Sequence, residues 1–212
     1  MVNRFSPVTG KRQKKALASS TKCTPHCVNG VCFSVGGPAF VIETRYMSPL
    51  TPEMSLVLSQ IRQLASVAPT LESLQKGMVD SIVRHLPYCN WTGFYMLDPA
   101  DPETLILGPF VGDPTPHVRI PVTQGICGAA VASGKTVIVD DVNADPRYLS
   151  CSIETKSEIV VPIYAHGGVV GEIDIDSHNS AAFTETDRAF LEELARVVGV
   201  YMEEHPDKPL TQ

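Results

Sequence analysis

Two cysteines, Cys127 and Cys151, stand in settings that suit reactive thiols. Cys127 lies between glycines at the start of a predicted helix, where free backbone N–H groups and the helix dipole favour a thiolate. Cys151 lies in a polar segment between Arg147 and Lys156. Because a buried cysteine is usually a small hydrophobic residue, these residues alone leave core packing and redox or nucleophilic chemistry as equal alternatives.

Three carboxylates, Glu158, Asp174 and Asp176, form a second candidate group. Alternate residues of a strand share a face, so Asp174 and Asp176 point together, either to solvent or into a pocket. They are interleaved with the apolar Ile173 and Ile175, and two like charges on one strand face need a proton or a cation between them. This pattern favours the pocket.

Two aromatic residues, Trp91 and Tyr95, share a face of the first predicted strand because they are four residues apart. Both could fill the core, as we expect for Phe94, or they could form the wall of a binding site. The residues themselves do not decide between these interpretations.

Composition and charge restrict the classes of function. The 212 residues carry a net charge of −6 and the basic residues of the domain are scattered, so broad binding to nucleic acid or to an anionic membrane is not expected. Hydrophobic residues make up 43% of the chain, and no apolar run approaches the roughly 20 residues that span a bilayer. A chain of this length can bury a core without disulfides, and we expect a cytoplasmic, reducing compartment.

The charge distribution divides the chain near residue 48. Residues 1–48 carry seven basic residues and one acid, Glu43, and their Ser, Thr, Pro and Gly content predicts a flexible extension. This extension could be a solvated tail, translated sequence upstream of a true start at Met47, or a transit peptide for an organelle. Residues 49–205 are predicted to form one domain, followed by a tail over residues 206–212.

The hydrophobic periodicity of the domain predicts an α+β fold. Pro69 separates two amphipathic helices, and Thr184 and Asp187 can form a capping box for a last helix. A long turn over residues 98–102 is expected between the first two strands. The predicted strands are 91–97, 104–110, 118–121, 136–139, 159–165 and 169–175, and a short helix of small residues covers 125–133.

An ordered series of short motifs runs through the domain. It comprises Trp91-Thr-Gly-Phe-Tyr95, Leu107-Gly-Pro-Phe110, Arg119-Ile-Pro121, Gly125-Ile-Cys-Gly128, Ser157-Glu-Ile159 and Asp174-Ile-Asp-Ser177. This series closely resembles the free methionine-(R)-sulfoxide reductases, which are single GAF-domain enzymes. The resemblance implies a central antiparallel sheet of about six strands with packed helices. The alternative function is that of a non-catalytic GAF domain that senses a small ligand.

The resemblance also implies a thiol mechanism without a metal or an organic cofactor. Cys151 matches the family's catalytic cysteine, whose thiolate attacks the sulfoxide sulfur and becomes a sulfenic acid. A protonated carboxyl, from Glu158 or Asp176, assists departure of the oxygen. Cys127 is then the candidate for resolving the sulfenic acid to a disulfide, which an external dithiol such as a thioredoxin-like protein reopens.

The same resemblance assigns the substrate-binding residues. Asp174 and Glu158 hold the free amino group of methionine-(R)-sulfoxide beside Asp176, and Trp91 and Tyr95 enclose the S-methyl end. A requirement for a free ammonium would exclude methionine residues inside a chain. Besides this substrate and the reductant, a second copy of the chain in a homodimer is a possible partner.

The remaining cysteines, and one position where the family often has a cysteine, are interpreted differently from Cys127 and Cys151. Many family members carry a third cysteine ten residues before Cys127, where this chain has His117, which we expect to contact the polar loop. Cys89 is expected in the core. The extension has Cys23, Cys27 and Cys32, but no second set of ligands at zinc-finger spacing follows them, so no zinc site is assigned there.

Overall fold

The structure is a computed structural model that describes residues 26–28, 31–33, 50–150 and 152–206. The chain separates into two compact units, Met1–Tyr46 and Met47–Gln212. In the first unit, β1 (His26–Val28) and β2 (Val31–Phe33) pair as antiparallel strands, with Cys27 opposite Cys32. These two strands were not predicted, because a run of three residues is too short to show a period.

The second unit is built on a six-stranded sheet in which every neighbouring pair is antiparallel, in the order β5-β4-β3-β8-β7-β6. Its strands are β3 (Trp91–Asp98), β4 (Asp101–Val111), β5 (Arg119–Pro121), β6 (Val137–Val139), β7 (Ser157–Ala165) and β8 (Gly168–Ser177). The predicted α+β class and the sheet of about six strands are confirmed. The prediction of a long turn after β3 is wrong, since Asp98 pairs with Asp101 and only two residues separate the strands.

The described residues form four α-helices: α1 (Pro52–Val67), α2 (Leu71–His85), α3 (Gly125–Ser133) and α4 (Glu185–Glu204). Helices α2, α3 and α4 pack against the sheet, and α1 packs on α2 and α4. The predicted break at Pro69 is confirmed, and the hydroxyl of Thr70 caps α2. The predicted capping box is also present, because Thr184 accepts from the Asp187 N–H while the Asp187 carboxylate accepts from the Thr184 N–H. None of the described helices is long and apolar enough to cross a membrane.

The sheet separates two apolar clusters. Helices α1, α2 and α4 cover one face, where Phe94 of β3 and Ile173 and Ile175 of β8 are fully buried. Helix α3 covers the other face, where Cys127 and Ile126 pack with Tyr95. Since side chains alternate along a strand, each central strand contributes to both clusters. The helix-rich face supplies most of the core, which leaves the α3 face free to carry polar groups.

Candidate active site

The predicted carboxylates come together because β8 lies between β3 and β7. Asp176 is opposite Trp91 on one side and opposite Glu158 on the other, so these residues form one row across the sheet. Asp174 lies two residues earlier on the same strand, opposite Gly93. Asp174 and Asp176 are each only 3% exposed, so the interpretation that they point to solvent is wrong and both carboxylates face the interior.

A fourth carboxylate, Glu172, lies on the same face of β8 and was missed by the sequence analysis. It is fully buried, and burial raises its pKa although an interaction with the Cys127 thiol opposes the shift. Glu172, Asp174 and Asp176 alternate with apolar residues, so the period of two in the sequence could have identified all three. The α3 face of β8 is therefore an acidic row of three residues.

Helix α3 places Cys127 over this acidic row. The Cys127 thiol is 6% exposed and donates to Oδ2 of Asp174, with Sγ and Oδ2 3.6 Å apart. Burial raises the pKa of Cys127 well above its usual value, and the charges of Asp174, Glu172 and Glu158 raise it further. The expectation that the helix N-terminus makes Cys127 a thiolate is therefore wrong, because burial among carboxylates outweighs the helix dipole.

The carboxylates also hold protons more tightly than ordinary acids do. Burial, reinforced by the neighbouring acids, raises the pKa of Glu158 and of Asp174 well above the usual range. Burial raises the pKa of Glu172 to about 8 and that of Asp176 to about 7, although the Thr155 hydroxyl opposes the shift of Asp176. The cluster can thus keep protonated carboxyl groups near neutral pH, which is the state that a proton donor requires.

The aromatic residues form a wall beside the carboxylates. The rings of Trp91 and Tyr95 are stacked with centroids 6.3 Å apart, and Trp91 also stacks on Phe110 at 5.5 Å. The Tyr95 hydroxyl donates to the carbonyl of His117 at 2.7 Å. A Cβ on Gly93 would come within 2.4 Å of the Trp91 ring, so glycine allows the ring to lie flat on the strand. Both aromatic residues pack in the same cluster as Cys127.

A cavity of about 10 Å³ lies at the centre of the cluster, and its volume is that of a single water molecule. The predicted residues Tyr95, Cys127, Glu158 and Asp174 line it, together with His117, Ile120, Gly125, Ile126 and Leu149. Trp91 and Asp176 belong to the row described above but are not among the lining residues. Any ligand larger than water therefore requires part of the lining to move.

The segment that closes the cavity precedes Cys151. His117 Nε2 lies 3.1 Å from the carbonyl oxygen of Ser150, which confirms the predicted contact between His117 and the polar loop. Leu149 packs on Gly125, whose φ of +76° and lack of a Cβ permit the close approach. Cys151 itself lies outside the described residues. The two residues that precede the predicted nucleophile are thus held by His117 and by packing on Gly125.

The other described cysteine, Cys89, belongs to a different environment. It is 2% exposed and packs in the cluster beneath α1, α2 and α4. Burial and the nearby Asp187 raise its pKa. The prediction that Cys89 is a core residue is confirmed, and Cys127 is the only one of the two described free cysteines that contacts the site carboxylates.

Comparison with known proteins shows to which family this chain belongs. Residues 68–203 match the model described as a GAF domain. The free methionine-R-sulfoxide reductase of Escherichia coli is 33% identical over 153 residues, which are 72% of this chain and 86% of that protein. The chain belongs to the free methionine-R-sulfoxide reductase family of GAF-domain proteins. The resemblance drawn from the sequence motifs is confirmed.

Two further members of the family support this assignment. The Saccharomyces cerevisiae free methionine-R-sulfoxide reductase is 44% identical over 110 residues, which are 51% of this chain and 61% of that protein. A structure of the Neisseria meningitidis free methionine-R-sulfoxide reductase in complex with its substrate superposes with a TM-score of 0.68 at 34% identity, covering 74% of this chain and 94% of that one. The family likeness therefore extends to the whole GAF domain.

A second and larger cavity lies away from these residues. It measures about 810 Å³, is mostly apolar and lies between α2 and the β3–β4 hairpin, with Gln75, Met96 and Leu107 in its lining. None of the predicted site residues lines it. Size alone would have selected this groove, whereas the titratable groups are gathered at the small cavity.

Proposed function

We propose that this protein reduces free methionine-(R)-sulfoxide to methionine, with Cys151 as the attacking thiol and Cys127 as the resolving thiol. The observation that carries the proposal is the buried set of one thiol and four carboxylates beside an aromatic wall, in a chain of this family. A sensor domain needs a pocket but has no use for a thiol beside protonated acids, so the alternative of a non-catalytic domain explains fewer of these groups.

The reaction balances with two thiols. The Cys151 thiolate attacks the sulfoxide sulfur while a protonated carboxyl, Glu158 or Asp176, gives its proton to the oxygen. The oxygen passes to Cys151 as a sulfenic acid, and methionine leaves with the electron pair that the thiolate supplied. Cys127 then attacks the Cys151 sulfur, the S–O bond breaks, and the oxygen leaves as water. The sulfoxide is reduced by two electrons, and the two thiols are oxidised to a disulfide.

Asp174 acts in the second half of the reaction, in which the disulfide forms. A buried thiol with a raised pKa is a poor nucleophile until it loses its proton, and Asp174 Oδ2 already accepts the hydrogen bond from Cys127. In its ionised form this carboxyl group accepts the thiol proton, and its raised pKa makes it a stronger base than an ordinary carboxylate. Asp174 is thus assigned two roles in turn: it binds the substrate ammonium, and it deprotonates the resolving thiol.

The substrate ammonium accounts for the acidic row. A single cation placed between Glu158 and Asp174 would offset their mutual repulsion, and the α-ammonium of a free amino acid is such a cation. Methionine sulfoxide inside a polypeptide has an amide at this position and would leave the carboxylates without a counter-charge. The aromatic wall of Trp91 and Tyr95 would then contact the S-methyl group. Selectivity for the free amino acid follows from the charge of the site.

The disulfide must be reopened from outside, and we assign this step to a thioredoxin-like dithiol, which acts by thiol–disulfide exchange. Cys127 is too deeply buried to meet a protein reductant in the closed form. The loop before Cys151 therefore has to open in each cycle, once to admit the substrate and once to present the disulfide.

A turnover assay with dithiothreitol tests the function. The reduced protein is offered the separate R and S sulfoxides of free methionine and a peptide methionine sulfoxide, and only the free R form should yield product. Cys151→Ser should abolish even the first turnover, whereas Cys127→Ser should release one equivalent of methionine and then stall with thioredoxin as the only reductant. Cys89→Ser is the matched control and should turn over normally. No product from any sulfoxide would rule out the reductase function.

A further inference from the structure

A thiol and two carboxylates converge on one point from three elements of the fold. Cys127 comes from the first turn of α3, Glu158 from the start of β7 and Asp174 from the middle of β8. Each offers one ligand atom, and the three atoms all lie within 4.8 Å of one another. We propose that Cys127, Glu158 and Asp174 form a zinc-binding site that takes up Zn²⁺ when the substrate is absent.

The distance between two ligands of this trio fits a zinc tetrahedron, and the Glu158 oxygen lies within 4.8 Å of both. Cys127 Sγ and Asp174 Oδ2 are 3.6 Å apart. With Zn–S of about 2.3 Å and Zn–O of about 2.0 Å, neighbouring ligands on a tetrahedron are about 3.5 Å apart. A metal ion between them would therefore require only small side-chain adjustments.

A second observation at the same place also favours a bound cation. Asp174 Oδ1 is buried without a hydrogen-bond partner, although the residue is only 3% exposed and lines the cavity. A buried carboxylate oxygen without a partner costs free energy, and a bound cation removes that cost. The adjoining cavity of about 10 Å³ has room for the water molecule that would complete a four-coordinate ion.

The donor set selects zinc among common divalent ions. Magnesium and calcium prefer oxygen ligands throughout, whereas one thiolate with two carboxylates suits a borderline ion such as Zn²⁺. No lysine or arginine is among the described residues that line the cavity, so no fixed side-chain cation occupies this position. On binding, the Cys127 thiol releases its proton to solvent and the sulfur coordinates the metal as a thiolate.

Zinc bound here would switch the site off reversibly. The ion would occupy the carboxylates assigned to the substrate ammonium and would coordinate the sulfur assigned to resolution. Zinc and methionine-(R)-sulfoxide should therefore exclude each other. This exclusion rests on the proposed function, whereas binding of the metal does not.

Cobalt provides a spectroscopic probe of the binding step. The full chain, reduced with a phosphine rather than a thiol, is titrated with Co²⁺, which should give a near-ultraviolet thiolate-to-cobalt band that Zn²⁺ then displaces. Cys127→Ser should lose the band, and Asp174→Asn should raise the zinc Kd by more than about tenfold. The triple variant Cys23→Ser, Cys27→Ser, Cys32→Ser is the matched control, because it removes the extension's thiols and should retain the band.

Circular dichroism checks that each variant is folded. If Cys127→Ser is unfolded, the zinc affinity of Asp174→Asn tests the proposed site. A band that persists in both site variants, or that disappears in the triple variant, overturns the zinc site. Competition is measured in Cys151→Ser, which cannot turn the sulfoxide over. Excess free methionine-(R)-sulfoxide should remove the cobalt band there. A band that survives excess sulfoxide contradicts a shared site, whereas absence of the band with normal turnover removes the zinc proposal and leaves the reductase function standing.

Discussion

The two faces of strand β8 have opposite chemistry although their residues alternate in the chain. Ile173 and Ile175 face the helices and are fully buried among apolar side chains. Glu172, Asp174 and Asp176 face α3 and are almost as deeply buried. Burial of the apolar face stabilises the folded state, whereas removing the carboxylates of the other face from water costs free energy. The acidic face contributes little to stability, and its presence is explained by chemistry.

The apolar face makes the acidic face possible. The sheet is anchored by α1, α2 and α4, so the polar groups beneath α3 are held in place without contributing to the main core. Strained or unsatisfied groups persist where the surrounding structure determines their position, and they concentrate at functional sites. Asp174, whose Oδ1 is buried without a hydrogen-bond partner, is the clearest example here.

Neighbouring substitutions on β8 provide the largest contrast. Ile173→Ala should lower the free energy of unfolding by roughly 2–5 kcal/mol, because it leaves a cavity in the helix-covered core. Asp174→Asn should leave stability unchanged or raise it, since it keeps the side-chain shape and removes a buried acid whose ionisation is opposed by burial, and it should abolish sulfoxide reduction. Urea denaturation and the turnover assay measure the two effects. A larger loss of stability in Asp174→Asn than in Ile173→Ala would contradict the division between the faces.

The second contrast is in the pH dependence of stability. The pKa of Glu172 is raised from the ordinary 4.5 to about 8 in the folded protein, so the folded state binds this proton more tightly than the unfolded state does. The stabilisation that this bound proton gives to the folded state is fully present below the ordinary pKa. It is lost as the pH rises to about 8, with a slope of up to about 1.4 kcal/mol per pH unit. Glu172→Gln should flatten this slope.

Denaturant titrations between these two pH values, with a chelator present, compare the wild type and Glu172→Gln. The variant should be relatively more stable at the upper end of the range. Parallel pH profiles for the two proteins would show that Glu172 does not hold its proton in the folded state.

Local sequence patterns predicted most of the helices and strands. They also predicted that Asp174 and Asp176 share one strand face, but not the protonation state of Cys127. Pro69, the Thr184 capping box and the period of two at Asp174 and Asp176 are local signals, and each was confirmed. The protonation of Cys127 was predicted wrongly, because it depends on Asp174, which is 47 residues away in the chain. The pairing of β8 with both β3 and β7 is equally non-local, so the row of Trp91, Asp176 and Glu158 could be expected only from the family resemblance.

The smallest contrast lies between the two buried cysteines. Cys127 lies beneath the loop that His117 holds through the Ser150 carbonyl, whereas Cys89 lies under the three large helices. A labelling reagent reaches Cys127 when this loop opens, but it reaches Cys89 only when the core opens. One hydrogen bond is worth about 0.5–1.5 kcal/mol, so His117→Ala should speed labelling of Cys127 by roughly 2- to 10-fold.

Mass spectrometry of alkylated peptides measures both rates in one sample, with Cys89 as the internal control. Labelling of Cys89 should be unchanged, because His117 makes no contact with its cluster. Equal acceleration at both cysteines would mean that His117→Ala loosens the whole domain. No acceleration at Cys127 would mean that Leu149 packing on Gly125 closes the site without help from the histidine. Acceleration at Cys127 alone would identify the His117 contact as the part of the closure that protects this thiol.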